Sequence, residues 1–181
     1  FYVCRIKGKF RVKAIKSTNP IAVGDKVLFI IDPNSEEKKG VITEIEVRQN
    51  YIVRKSVNLS KQIQIIAANI DQVFLMITLK KPTTFPAFID RFLATAKAFG
   101  IEVVLLFNKE DTYSMKEMDD LRQLKVVYQD IGYHCVEISA LNGTNVDQVK
   151  SLMKSKTCML SGHSGVGKST LVNTLAPQLN I

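Results

Sequence analysis

Tryptophan is absent from this 181-residue chain, and histidine occurs only twice. Cysteine is nearly as scarce. Cys4, Cys135 and Cys158 stand far apart and are odd in number. They form neither a disulfide framework nor a zinc-ligand spacing, so we read them as buried thiols of a reducing cytoplasm. No apolar run approaches the ~20 residues that a bilayer-spanning helix needs. No secretory leader is legible, because Arg5, Lys7 and Lys9 break the first residues before an apolar stretch can form. The first residue is Phe1, and the expectation is that the true start lies upstream. Acidic residues are also short, 17 against 25 basic, which leaves a net charge of +8. That deficit is local: residues 1–70 hold 13 basic and 6 acidic, whereas residues 71–181 hold 12 and 11. A basic first part joined to a nearly neutral second part suggests a polyanion-binding module attached to something else. Hydrophobic residues at 46% and charged residues at 23% exclude extensive disorder. The length allows one large domain or two small ones, each with a real core.

Residues 1–56 read as short strands at 1–6, 10–15, 26–31 and 41–48, separated by turn signals at Pro20, Gly24-Asp25 and Pro33-Asn34-Ser35. Lys7-Gly8-Lys9 fits a hairpin loop. Alternation puts Cys4, Ile6, Phe10, Val12 and Ala14 on one face, and Arg5, Arg11 and Lys13 on the other. It likewise sets Val41, Thr43, Ile45 and Val47 against Ile42, Glu44, Glu46 and Arg48. Several short strands of this kind predict a small barrel, and an OB-type β-barrel is the commonest that binds nucleic acid. From about residue 63 strands alternate with helices. Strands are expected at 72–78, 101–107, 135–138 and 157–160, and helices at 84–99, 114–131, 146–153 and 168–175. Such alternation predicts an α/β domain with a parallel, doubly wound sheet. The chain is therefore expected to be multidomain, with a barrel over residues 1–60 and an α/β domain over 61–181. Phe85, Phe88, Phe92 and Phe99 are expected in the core of the second domain, given their helical spacing.

Gly162-His163-Ser164-Gly165-Val166-Gly167-Lys168-Ser169 fits G-x-x-x-x-G-K-[ST], between a predicted strand and a predicted helix. Glycines there let backbone N–H groups turn inward around phosphate oxygens, and the helix N-terminus favours the negative charge. Lys168 places a cation on the β and γ phosphates, Ser169 offers a hydroxyl to Mg²⁺, and Thr170 follows on the helix. The bland alternative is a glycine-rich turn before a helix. Asn108-Lys109-Glu110-Asp111 stands at the end of the strand 101–107, where open α/β sheets bind ligands. It fits N-K-x-D. A carboxylate at Asp111 can accept from guanine N1–H and from the exocyclic amine, whereas adenine leaves it unpaired, a strongly discriminating mismatch. Asn108 would hold the loop and reach the base edge, and the Lys109 stem would cover the base face. The alternative is a helix-capping loop, with Asp111 or Ser114 as the cap. Ser139-Ala140-Leu141 resembles the S-A-[KL] loop that supports guanine. In an ordinary GTPase the phosphate loop comes first; here it comes last. The same sheet forms from a circularly permuted chain, because the termini of such domains lie close together. His163 sits at a free position of the motif and His134 on a strand, and neither is given a role.

A circularly permuted α/β P-loop GTPase domain behind a basic barrel resembles the bacterial small-ribosomal-subunit-dependent GTPases, the RsgA family. Further segments carry the resemblance: Asn19-Pro20-Ile21-Ala22-Val23-Gly24-Asp25, Ala67-Ala68-Asn69-Ile70-Asp71-Gln72 and Asp90-Arg91-Phe92-Leu93. The resemblance implies a late assembly factor of the small ribosomal subunit, using GTP/GDP with Mg²⁺. Its barrel would touch ribosomal RNA, the subunit would stimulate hydrolysis, and Zn²⁺ would be held only in a further C-terminal domain. Two departures stand out. No D-x-x-G occurs, and the sequence stops one helix after the phosphate loop, so the GTPase domain is expected to be incomplete here and to hydrolyse GTP poorly.

On that reading the RNA contacts are Arg5, Arg11, Lys13, Arg48, Arg54 and Lys55, with Tyr51 able to stack on a base. The alternative is an ordinary solvated strand face. A cytoplasmic monomer without membrane contact is expected. Three functions compete: a GTPase acting in ribosome assembly, a nucleotide-regulated RNA-binding module without relevant turnover, and a P-loop ATPase or kinase with a nucleic-acid-binding appendage.

Overall fold

The structure is a computed structural model and describes residues 1–6, 20–31, 39–55 and 63–179. The chain divides into two units, Phe1–Ile70 and Asp71–Ile181. The division falls ten residues beyond the expected boundary at 60/61, and its cause is a pair of strands the sequence did not announce. Strand β4 (Tyr51–Lys55) pairs antiparallel with β5 (Ile63–Ala68), so residues through Ala68 belong to the first unit.

The other strands of the first unit are β1 (Val3–Ile6), β2 (Val27–Ile31) and β3 (Lys39–Ile45), in the order β1-β3-β2. The expected strand over 10–15 lies outside the described residues. Register puts Cys4 beside Gly40 and Ile6 beside Ile42, with Arg5 on the opposite face beside Val41. Ile42 is buried and Thr43 exposed, against the alternation expected for 41–47, whereas Ile45 is more buried than Glu44, in line with it. A bulge explains the change. Phe29 pairs with Ile42 but Leu28 with Glu44, so Thr43 is the extra residue and the faces change phase there.

Two of the segments behind the family resemblance, 19–25 and 67–72, are joined in this unit through residues 48–50. Asn69, at φ 53°, donates from its side-chain amide to Gly24 O and accepts from Gln49 N. Asn50 grips Ile70 twice: its amide donates to Ile70 O, and its carbonyl accepts from Ile70 N, both at 2.8 Å. Asp25 accepts from Ala22 N and from Arg48, whose guanidinium bonds both carboxylate oxygens at 2.6 and 2.7 Å. Arg48 is therefore removed from the expected RNA-contacting set. Its side chain is 6% exposed and spent on Asp25 and on Pro20 O.

The second unit is the expected parallel sheet. Its strands are β6 (Gln72–Ile77), β7 (Glu102–Asn108), β8 (His134–Ile138) and β9 (Cys158–Ser161), in the order β8-β7-β6-β9. All six residues of β6 and the last six of β7 are buried, as expected of strands covered on both faces. Helices α1 (Pro86–Ala98), α2 (Met115–Asp130), α3 (Val146–Met153) and α4 (Lys168–Leu175) connect and cover them. Phe74, Met76, Val104, Leu106, Val136 and Ile138 pack with Val146 and Val149 of α3 and Leu171 of α4. Each such side chain, fully buried, contributes about 1.5–3 kcal/mol. Ser114 and Glu117 form a capping box that starts α2 within the expected range.

The phenylalanine expectation fails. Phe85 is 66% exposed, and Phe88, Phe92 and Phe99 are half-buried. The buried stripe of α1 is instead Ile89, Leu93 and Ala96, the i, i+4, i+7 set one position further on. Asp90, outside that stripe, accepts from Tyr128 of α2 and ties the two helices together.

Candidate nucleotide-binding site

Parallel strands bring their C-terminal ends to one edge, so four loops meet there: residues 78–85, 109–114, 139–145 and 162–167. Strand β9 lies beside β6, on the side away from β7. Last in sequence, the phosphate loop thus still neighbours the first strand of the unit.

Within that loop, Gly167 caps α4 at φ 102°, and a Cβ added there would stand 2.5 Å from the Asn108 amide nitrogen. Gly162 would meet Met76 O at 2.6 Å. Both glycines are set by close approach as well as by φ. Lys168 folds over the loop and donates to Gly162 O at 2.9 Å and His163 O at 2.7 Å. Among the described residues its ammonium has only these two neutral carbonyl partners, which an anionic phosphate oxygen can replace. Val166 is fully buried in the α3–α4 core, whereas Ser164, Gly165, Ser169 and Thr170 are exposed. The His163 ring packs against Phe88 of α1, centroids 4.1 Å apart.

Asn108 is the centre of the arrangement. It is 2% exposed; its amide donates to Val166 O at 2.7 Å, and its carbonyl accepts from Ala140 N at 2.9 Å. One buried side chain thereby joins the phosphate loop, the N-K-x-D loop and the S-A loop. Ser139 is fully buried and its hydroxyl accepts from Asn142 N, while Ala140 O accepts from the Thr174 hydroxyl of α4. Lys109, left-handed at φ 72°, donates to Gly165 O at 2.8 Å and to Lys81 O, so its stem runs from the end of β7 to the phosphate loop. Asp111 lies in a single 3-10 turn (Glu110–Thr112), exposed and accepting no hydrogen bond among the described residues. The helix-capping alternative fails for Asp111, because Ser114 is the cap.

Sequence reasoning missed the loop after β6. Tyr113 donates to Asn108 O at 2.8 Å and accepts from Leu79 N at 3.0 Å. Lys80 meets both Glu117 oxygens at 2.7 Å and lies 5.6 Å from the Tyr113 ring centroid. Burial, reinforced by the Glu117 and Asp111 carboxylates, pushes the Tyr113 phenol up. Hydrogen bonds from Lys80, then from the Ser114 amide and hydroxyl, hold the Glu117 carboxyl at about 2. No motif marks Leu79, Lys80 or Tyr113. Only the strand register brings them together.

Residues 45–181 match the family model of the RsgA GTPase, and residues 1–42 match the RsgA N-terminal domain. The chain belongs to the RsgA GTPase family. It is 60% identical over its whole length to the small ribosomal subunit biogenesis GTPase RsgA of Christiangramia forsetii, and 56% identical to that of Flavobacterium psychrophilum. It spans 58% and 56% of those two proteins. Among solved structures, YjeQ from Thermotoga maritima superposes with a TM-score of 0.75 at 34% identity, over 97% of this chain and 56% of that one. The circularly permuted GTPase YloQ gives 0.66 at 28% identity, over 96% of this chain and 55% of its own. The expected order, an RsgA N-terminal domain before a circularly permuted GTPase domain, is thus borne out.

The donor set also bears on the metal. Among the described residues no group of three or more His, Cys, Asp or Glu could hold an ion. The exposed Ser169 hydroxyl is a single hard oxygen. It fits Mg²⁺, which takes few protein ligands and completes its shell with phosphate oxygens and water.

Of the RNA-contacting candidates, Arg5 is exposed on the outer face of the three-stranded sheet. Arg11 and Lys13 lie outside the described residues. Arg54 and Lys55 are placed in β4 opposite Gln64 and Ile63, with their side chains outside the description. Tyr51 is half-buried at the start of β4. No described helix is long and apolar enough to cross a membrane.

Proposed function

We propose that this chain is the RNA-contacting and nucleotide-binding part of a cytoplasmic GTPase that acts late in assembly of the small ribosomal subunit. One observation carries the nucleotide half. The buried Asn108 amide ties the phosphate loop to the S-A loop and leaves the Asp111 carboxylate unpartnered and exposed at the same sheet edge. A free carboxylate there suits the two donors of a guanine edge and rejects adenine. Val166, Gly167 and the first amides of α4 would face the phosphates, which Lys168 reaches once it releases Gly162 O and His163 O. Ser169 would take one position on Mg²⁺, and the ion supplies charge neutralisation between the β and γ phosphates when bound. GTP favours the subunit-bound state and hydrolysis releases it. The printed names of the relatives, each a small ribosomal subunit biogenesis GTPase, support this reading. So does Arg5 on an open strand face, for the RNA half. Turnover by these residues alone is slow, since no D-x-x-G is among them to position the metal and the attacking water.

The test is competition between GDP and ADP, with Mg²⁺, for the chain and for Asp111→Asn. Guanine preference that moves to xanthine in the variant supports the assignment. Equal binding of both purines, indifferent to the variant, refutes it. Small subunits that leave GTP turnover unchanged would favour the reading without turnover.

A further inference from the structure

Three consecutive residues of the loop after β6 are each held by the segment that begins with N-K-x-D. Leu79 N donates to the Tyr113 hydroxyl, Lys80 pairs with Glu117, and Lys81 O accepts from Lys109. The same loop is closed on itself, Thr84 N donating to Thr78 O and the Thr78 hydroxyl to Pro82 O. It is a small, rigid piece. Tyr113 is the residue that locks it to the strand ends, because its hydroxyl also donates to Asn108 O. The peptide carbonyl of Asn108 is the last fixed point of β7 before the chain turns through the left-handed Lys109 to Asp111. Holding that carbonyl fixes the direction in which Asp111 leaves the sheet.

We propose that Tyr113 is a positioning residue for guanine recognition, bridging Leu79 and Asn108 so that the Asp111 carboxylate stands where the base edge arrives. This rests on the nucleotide-binding reading above. Lys80 and Glu117 support it from the side: their ion pair pins the loop against the capped start of α2, which is continuous with Tyr113. The Tyr113 hydroxyl is spent on Leu79 N and Asn108 O, and the phosphate loop keeps its own anchors in Asn108 and Lys109. Loss of the hydroxyl should therefore loosen the base end of the site and spare the phosphate end.

The experiment uses the full chain, with calorimetric titration of GDP with Mg²⁺ and of inorganic pyrophosphate as the phosphate-only probe. Tyr113→Phe keeps the ring and removes both hydrogen bonds. GDP affinity is expected to fall roughly five- to tenfold, the effect of one or two modest hydrogen bonds. Pyrophosphate affinity should stay within about twofold. Tyr128→Phe is the control for stability: it removes another buried hydroxyl bond, to Asp90, away from the loops, and should leave both affinities unchanged. Unaltered GDP binding by Tyr113→Phe overturns the proposal while leaving the guanine site intact. Equal losses for GDP and pyrophosphate also overturn it, by making Tyr113 general scaffolding. A wild-type chain that binds ADP as well as GDP removes the guanine site itself, and the proposal with it.

Discussion

Replacing Arg48 with alanine is expected to damage the fold of the first unit, and not to remove an RNA contact from an intact surface. The guanidinium bonds Asp25 twice, at 2.6 and 2.7 Å, and Pro20 O at 3.2 Å. The two side chains are 6% and 1% exposed. Alanine leaves the Asp25 carboxylate with one remaining donor, Ala22 N. Removing one partner of a buried pair costs about 3–5 kcal/mol, because the other charge stays desolvated. In a unit of this size each kcal/mol moves the melting midpoint by about 4–8 °C, so a fall of at least about 12 °C is expected. Circular dichroism melts of the full chain would read it. Changing both partners, Arg48→Met with Asp25→Asn, should recover part of the loss, since no charge is then left alone. The pH dependence gives a second check. Burial pushes the Asp25 carboxyl up, but the Arg48 hydrogen bond, the Ala22 amide and the Arg48 charge outweigh it and hold it below the ordinary value. A depressed carboxyl gives stability that is present above its unfolded value, near 4, and lost as pH falls through the folded one. The gap between wild type and Arg48→Ala should therefore narrow below about pH 4. A variant that melts within about 2 °C of wild type, yet binds RNA more weakly, would refute the argument and restore Arg48 to the RNA surface.

Gly167→Ala should abolish detectable GDP binding in a titration, because the new methyl would stand 2.5 Å from the Asn108 amide at a φ of 102°. The thiols should alkylate unequally in the folded chain, read by mass spectrometry. Cys135, buried and with its pKa pushed up to about 11 by desolvation, should react last at pH 7.5, and the half-buried Cys4 should react well before it. The Lys80–Glu117 pair should survive moderate acid. Its carboxyl sits at about 2 against an ordinary 4.5, so its contribution is complete above pH 5 and fades only as pH falls toward 2. Guanine nucleotide affinity that changes between pH 8 and 5 through Glu117, seen as a difference from Glu117→Gln, would contradict this.

Much of the second unit was legible because its signals are local. Continuous apolar runs mark strands covered on both faces, and β6 and β7 are buried as those runs require. The capping box at Ser114 and Glu117 and the stop at Gly132 are contacts within a few residues of chain, so α2 falls where it was expected. The phosphate and N-K-x-D loops were found because their chemistry restricts residue types at fixed spacing. The first unit was harder. A bulge at Thr43 interrupts an alternation that reads cleanly in sequence, and a pair of strands over 51–55 and 63–68 moves the boundary to residue 70. Arg48 reads as one more cation in a basic segment, and only its approach to Asp25, 23 residues away, removes it from the surface.

The sequence by itself thus singled out the candidates for holding phosphate and for choosing a purine, since spacing within one loop does not depend on the rest of the chain. Tertiary structure decided how those loops meet. Asn108 reaches Val166 across 58 residues, Tyr113 reaches Leu79 across 34, and Thr174 reaches Ala140 across 34. Those distances close only because four parallel strands end on one edge, with the last strand in sequence laid beside the first. A periodic pattern specifies a strand and its buried face. Its neighbours are chosen by the packing of the whole sheet, and the site is built from neighbours.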